Sequence, residues 1–248
     1  MLHPSLAENL RHRPNRRAVM TQQWKNLTFL HFPVEPELVQ RTLPPGLAVD
    51  TFPDQNGHSK AWIGLVPFEI RDLTFRPRMR IPSVSTFLET NVRTYVHHSG
   101  RDPGVWFYSL DAASRLACSA ARTWFGLHYW HASMSYSEEK QTHTYAGKRL
   151  GRLQPEYIVS AEVGAVLPAP QPGDFEFFLV ERYLLYSYFK GRLFQGQVHH
   201  RPYPLRRLEL KSLKDELVQA AGFKLQPIAS ALFSPGVDVE IFPLERSK

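Results

Sequence analysis

TFLETNVRTYV, residues 86–96, is the stretch on which the fold turns. Successive side chains of an extended strand point to opposite faces. Leu88, Thr90, Val92, Thr94 and Val96 therefore share one face, and Phe87, Glu89, Asn91, Arg93 and Tyr95 share the other. The second face sets a carboxylate, an amide, a guanidinium and a phenol in one row, spaced about 6–7 Å apart at a rise of ~3.3 Å per residue. A row of that composition faces either water or a polar cavity. In an enclosed site the low dielectric would strengthen the attraction between Glu89 and Arg93 and suit a small polar or carboxylate ligand.

On either side of this stretch the chain is punctuated at strand length. Residues 27–32 form a β-rich run, and residues 34–43 predict a short helix with Pro36 early in it and Pro44-Pro45-Gly46 beyond its end. Residues 49–52 and 60–70 predict a hairpin around the Asp54-Gln55-Asn56-Gly57 turn, with Pro67 marking an edge or a bulge. A strand over 104–110 is followed by Asp111, placed to cap a helix over 112–125. That helix has an apolar stripe of Leu116, Ala117, Ala120, Ala121 and Trp124, and Gly126 is its left-handed stop. Further strands are expected over 128–136, 142–149, 157–163, 184–189, 193–200 and 237–242. Short helices are expected after Pro172-Gly173-Asp174 and over 213–221.

About ten strands and a few short helices, without βαβ alternation, argue against doubly wound and TIM architectures. The pattern predicts a mainly β, α+β fold: a largely antiparallel curved sheet or barrel with helices at its ends. No repeat or linker divides residues 18–248, which read as a single domain. Residues 1–17 carry Arg11, Arg13, Arg16 and Arg17 against Glu8 and read as a basic N-terminal tail, either mobile or packed as a small lead-in.

Composition narrows the function classes. The chain has 248 residues and a formal net charge of +7. No run approaches ~18 apolar residues, so no membrane-spanning helix is expected. The polar start lacks a secretory signal's apolar stretch, and a cytoplasmic location is the expectation. Cys118 stands alone, which excludes an internal disulfide, a cysteine-rich zinc ribbon and a thioredoxin-type pair. GxGxxG, Walker, HExxH and GxSxG motifs are absent. The positive charge lies partly on the tail and forms no basic stripe, so nucleic acid is not an expected partner.

Histidines occur as His97-His98, His199-His200 and the pair His128 and His131. Neighbours, or residues three apart, point to opposite faces of a strand, so neither a metal nor a cofactor is expected from them. Tyr129 and His131 do share a face, as acid–base groups or as packing. Cys118, among small residues of a helix, reads as a buried apolar group.

Several ordered segments carry a resemblance: LTFLHFPVEPELVQRTLPPGL (27–47), KAWIGLVPF (60–68), FLETNVRTYV (87–96), GVWFYSLDA (104–112), WFGLHYWHA (124–132), FLVERYLLY (178–186) and GRLFQGQVHHRPYPL (191–205). Together they resemble the YqjF family of bacterial proteins over about residues 24–204. That family is similar to acetoacetate decarboxylase at superfamily level, which implies a cone-shaped antiparallel β-barrel around a ligand cavity.

In the decarboxylase a helix ends in an Arg-x-x-x-Gly-x-Pro-Lys-type segment whose lysine forms a Schiff base. The comparable stretch here runs from Arg122 through Gly126 to Tyr129, with tyrosine in place of the amine. No lysine occurs between Lys60 and Lys140, so Schiff-base decarboxylation by that route is not expected. The decarboxylase glutamate has a strand context similar to that of Glu89, which implies that the polar row points inward. The resemblance thus suggests a lyase- or hydrolase-like enzyme for a small oxygenated organic acid. Glu89 would be general base or acid, Arg93 or Arg122 would hold a carboxylate, Tyr129 or His131 would donate a proton, and Asn91 and Tyr95 would complete the ligand wall. The alternative is a non-catalytic barrel that binds or senses a small apolar acid. A homo-oligomer stays open, because such a sheet leaves exposed edges.

Overall fold

A computed structural model describes residues 4–75 and 85–247. Helices α1 (Pro4–Leu10), α2 (Pro36–Gln40), α3 (Arg115–Phe125), α4 (Phe175–Val180) and α5 (Leu217–Ala220) punctuate a strand-rich chain. The strands are β1 (Met20–Val34), β2 (Leu47–Val49), β3 (Phe52–Pro53), β4 (Ser59–Phe75), β5 (Phe87–His98), β6 (Arg101–Ala112) and β7 (Tyr129–Glu139). They continue as β8 (Thr142–Arg149), β9 (Glu156–Val166), β10 (Leu184–Phe189), β11 (Arg192–His200), β12 (Arg206–Asp215), β13 (Ser230–Ile241) and β14 (Glu245–Arg246).

Their pairing closes twice rather than once. A first ring runs β6-β5-β4-β1-β13-β11-β10 and returns to β6; a second runs β6-β7-β8-β9-β12-β13-β1-β4-β5 and returns to β6. Strands β13, β1, β4, β5 and β6 are the wall common to both. Pairing is antiparallel except at β6–β7 and β6–β10. Because the wall is covered on both sides, alternate residues supply two separate cores. Phe29, Trp62, Val66 and Tyr95 face the first ring, and Leu30, Ile63, Leu65 and Val92 face the second. Burial on both faces explains why stretches such as residues 61–68 of β4 read as nearly continuous apolar runs.

Wall strands β1, β4 and β6 keep a mostly apolar face toward the first ring by switching parity at bulges. In β1, Met20, Gln22 and Trp24 line the first ring at even positions and Leu27 at an odd one. The switch falls at Asn26, which adopts φ 53° where the β1–β4 register shifts. In β4, Val66, Phe68 and Ile70 give way to Leu73 and Phe75 across Asp72, at φ 51°. In β6, Phe107 gives way to Leu110 where Tyr108 is the extra residue opposite Val92 and Arg93. Each bulge inserts one residue and so rotates the rest of its strand by one face. Pro67, expected at an edge or bulge, lies in an interior strand within the stretch where the β1–β4 register slips, so its missing N–H falls at a break in the ladder.

Two expectations are corrected. Asp111 does not cap α3; it belongs to β6, and Ser114 takes the cap, its side chain accepting from the Ala117 N–H. The segment expected as a helix over 213–221 is the end of β12 followed by the short α5, because Leu213 pairs with Val159. Gly126 does end α3 in the left-handed conformation, φ 61°. The side chains of Ala120, Ala121 and Trp124 lie outside the described residues. Near the N-terminus Ala7 is buried, Arg13 pairs with Glu240, and Arg16 pairs with Glu245. No helix among the described residues is long and apolar enough to cross a membrane.

Candidate functional site

Between the common wall and strands β10 and β11, the first ring encloses a cavity of about 140 Å³. A space near 150 Å³ holds a molecule about the size of benzene. Most of the lining is apolar, with Phe68, Phe87, Phe107, Leu127 and Leu185 prominent; Glu89, Asn91, Arg93, Tyr129, Gln22 and Tyr203 are its polar members. The row read from residues 87–95 therefore faces inward. Its opposite face is largely buried as well, from Thr90 to Val96.

Glu89 is 3% exposed and accepts a 2.9 Å hydrogen bond from the Tyr129 hydroxyl to Oε2. Tyr129 is delivered by the end of α3: after the Gly126 stop, Leu110 and Tyr129 pair in parallel, two strands from β5. Burial pushes the Glu89 carboxyl up to about 8, outweighing the Tyr129 hydrogen bond, and the nearby Asp111 charge adds to the rise. Burial and the facing Glu89 hold the Tyr129 phenol well above its ordinary range. Asp111 itself forms a buried bidentate pair with Arg149, both contacts 2.8 Å. The arrangement keeps Glu89 protonated at neutral pH. A carboxyl in that state both donates and accepts a hydrogen bond.

Arg93 forms a second pole. It is 9% exposed and, among the described residues, has no carboxylate within ion-pair distance; its Nε–H is buried without an acceptor. Nη2 instead donates to the Leu179 carbonyl at 3.1 Å and lies 3.4 Å from the Tyr95 hydroxyl. That carbonyl belongs to the last turn of α4, where carbonyls lack helical partners and attract cations. Tyr95 also donates to it, at 2.7 Å, so its oxygen accepts from His31 Nε2–H, also at 2.7 Å. Burial and Arg93 hold the His31 imidazole well below its ordinary value, so it stays neutral. Space for this cluster comes from Gly64, where a Cβ would stand 3.3 Å from both Arg93 Cγ and His31 Nε2.

Of the residues nominated from sequence, Glu89, Asn91, Arg93 and Tyr129 share the cavity, and Tyr95 lies behind Arg93 as its support. Arg122 is exposed and donates to the Cys118 carbonyl, and His131 does not line the cavity. The expected Glu89–Arg93 attraction does not form: burial, Tyr129 and Asp111 set the state of Glu89, and Arg93 does not. Arg182 pairs with buried Asp50 at 2.9 Å, and Glu181 accepts from the Tyr183 hydroxyl. Sequence reasoning missed His31, the Leu179 carbonyl, Gln22 and Tyr203. His31 sits inside an apolar run with no motif around it, and a backbone carbonyl leaves no mark on composition. Among the described residues no lysine lines the cavity, and no group of three His, Cys, Asp or Glu is placed to hold a metal.

Comparison with known proteins agrees with this architecture. Residues 21–238 match the DUF2071 family, described as an uncharacterized conserved protein. Uncharacterized protein YqjF of Bacillus subtilis (strain 168) is 31% identical over 229 residues, covering 92% of each chain. Among solved structures, acetoacetate decarboxylase from Legionella pneumophila is 14% identical and superimposes with a TM-score of 0.63 over 98% of this chain and 95% of that one. The enduracididine biosynthesis enzyme MppR, complexed with pyruvate, is 13% identical, with a TM-score of 0.62 over 95% and 93%. The fold is thus acetoacetate decarboxylase-like, as the resemblance implied, with a doubly closed sheet in place of one clean barrel. By sequence match and by its YqjF relative, the chain belongs to the DUF2071 family.

Proposed function

We propose that this protein is a lyase- or hydrolase-like enzyme that acts on a small organic acid by proton transfer, without a Schiff-base lysine. The observation that carries this reading is the pair of unlike poles on one apolar cavity wall: a buried guanidinium with no carboxylate partner among the described residues, and a buried carboxyl whose partner is a phenol. A buried cation lacking a counter-ion is costly, and a ligand carboxylate at Arg93 would relieve that cost. Glu89, protonated near neutrality, would give its proton to a substrate oxygen and take it back, with Tyr129 fixing its orientation. Pyruvate in the related MppR fold supports a small acid as the ligand class. A cytoplasmic setting accompanies this reading.

The test is incubation of wild type and Glu89→Gln with mixed organic acids, followed by product detection. A folded Glu89→Gln protein with unchanged turnover would remove Glu89 from the mechanism. The mostly apolar lining favours a second reading, a non-catalytic binder or sensor of a small apolar acid. That reading predicts thermal stabilisation by the acid with no product formed.

A further inference from the structure

Glu89 and Arg93 are four residues apart on an unbroken strand, so their Cα atoms are about 13 Å apart. Side chains standing perpendicular to a sheet keep roughly that spacing. Here the guanidinium reaches toward Leu179 and Tyr95, on the side away from Glu89. Subtracting one hydrogen bond of about 2.8 Å at each pole leaves roughly 7–8 Å between the two oxygen-bearing ends of a ligand that touches both. Bonds of about 1.5 Å advance about 1.25 Å each in a zigzag chain, so the gap is spanned in roughly six steps. An α-oxo or β-oxo acid is too short to bridge it, whereas a 5-oxo acid, with six bonds between its two oxygen-bearing ends, spans it.

Building on the carboxylate reading above, we propose that the ligand is a linear monocarboxylic acid with its second oxygen function remote from the carboxyl. A 5-oxo or 5-hydroxy acid is the representative class. The carboxylate lies against Arg93, the far carbonyl or hydroxyl meets Glu89 and Tyr129, and the methylenes run past Asn91 and Val66. The apolar residues near Phe87 close over the terminal carbon. Reaction then occurs at the far oxygen, distant from the carboxyl group.

The oxohexanoate isomers isolate this claim, because they bury the same carbon chain and differ only in where the oxygen sits; 5-hydroxyhexanoate adds a hydroxyl at the remote position. Calorimetric titration of the full-length protein with 2-oxohexanoate, 4-oxohexanoate, 5-oxohexanoate and 5-hydroxyhexanoate is the experiment. The expected result is that the 5-substituted acids bind about ten-fold tighter than the 2-oxo isomer, the worth of one buried hydrogen bond. That preference should collapse in Glu89→Leu, while Arg93→Met should lose all four acids. Equal binding of the isomers, or a preference for the 2-oxo acid, with Arg93→Met still abolishing binding, overturns the remote-oxygen proposal and leaves the carboxylate reading standing. Failure of every isomer to bind, or binding that survives Arg93→Met, overturns both. The wild-type isomer order decides the question even if Glu89→Leu does not fold.

Discussion

Replacing Glu89 by glutamine removes one titrating carboxyl from the cavity wall, yet keeps its shape and an oxygen to accept the Tyr129 hydrogen bond. In the folded protein burial raises this carboxyl from 4.5 to about 8. At pH values below about 4.5 the group is protonated in both folded and unfolded chains and makes no pH-dependent difference. As pH rises from there to about 8, the unfolded chain releases the proton while the folded protein holds it, so stability falls. Above that window both states are ionised and the loss levels off. At about 1.4 kcal/mol per pKa unit, the accumulated loss is about 3–5 kcal/mol. That is a large fraction of the total stability of an ordinary domain.

Glutamine does not titrate, so Glu89→Gln should match wild type near pH 4.5 and exceed it by about 3–5 kcal/mol near pH 9. Equilibrium urea unfolding of both proteins across this range measures the difference directly. Glu181 and Asp215, also pushed up by burial, titrate in both proteins and cancel in the subtraction. A difference that stays constant with pH would refute the claim that Glu89 is held protonated by its surroundings. The expected pairing of higher stability with lost turnover is the trade-off of a group buried for chemistry rather than for the fold.

Other perturbations probe the supporting groups. Tyr129→Phe removes the hydrogen bond that lowers the Glu89 pKa, so the carboxyl should titrate above about 8 in difference infrared spectra; an unchanged or lower midpoint would deny the contact. Gly64→Ala brings a Cβ within 3.3 Å of Arg93 Cγ and His31 Nε2. It should cost about 1–3 kcal/mol in urea unfolding and weaken carboxylate binding at the same time; stability lost with binding intact would separate Gly64 from the Arg93 pole. Borohydride reduction in the presence of a keto acid should leave the intact mass of the protein unchanged, since no described lysine lines the cavity. A reduced adduct mapped to any lysine would restore Schiff-base chemistry.

Apart from Tyr129, the parts of the site that sequence reveals are those on β5, and the reason is geometric. From Phe87 to Tyr95 this strand carries no bulge of its own, so period-two alternation counts correctly from end to end and Glu89, Asn91 and Arg93 emerge on one side. Its neighbours obey the same rule only in segments. Counting alternation through Asn26, Asp72 or the residue opposite Val92 and Arg93 assigns half of β1, β4 or β6 to the wrong face. Asn and Asp tolerate the left-handed conformation, but each has many other uses, so neither announces a bulge. The same limit applies to partners. A low dielectric favours attraction between Glu89 and Arg93, but four residues of extended chain separate them by about 13 Å, and nearer groups set the state of each. The real partners are Tyr129, reached through a helix and a parallel pairing, and the Leu179 carbonyl, which has no side-chain identity.

The bulges and the unbroken strand together account for the cavity's character. By switching faces, β1, β4 and β6 keep presenting Trp24, Leu27, Phe68, Leu73, Phe107 and Leu110 to the first ring, so the enclosure stays apolar along its length. Had β5 bulged between residues 89 and 93, Glu89 and Arg93 would lie on opposite faces and one of them would enter the second core. Its regularity keeps a cation and a carboxyl on one wall while their spacing prevents them from neutralising each other. Apolar surroundings then act on each separately: they raise the Glu89 pKa and leave Arg93 in need of an anion. A shorter separation would have produced a buried salt bridge, structurally inert, in place of two poles available to a ligand.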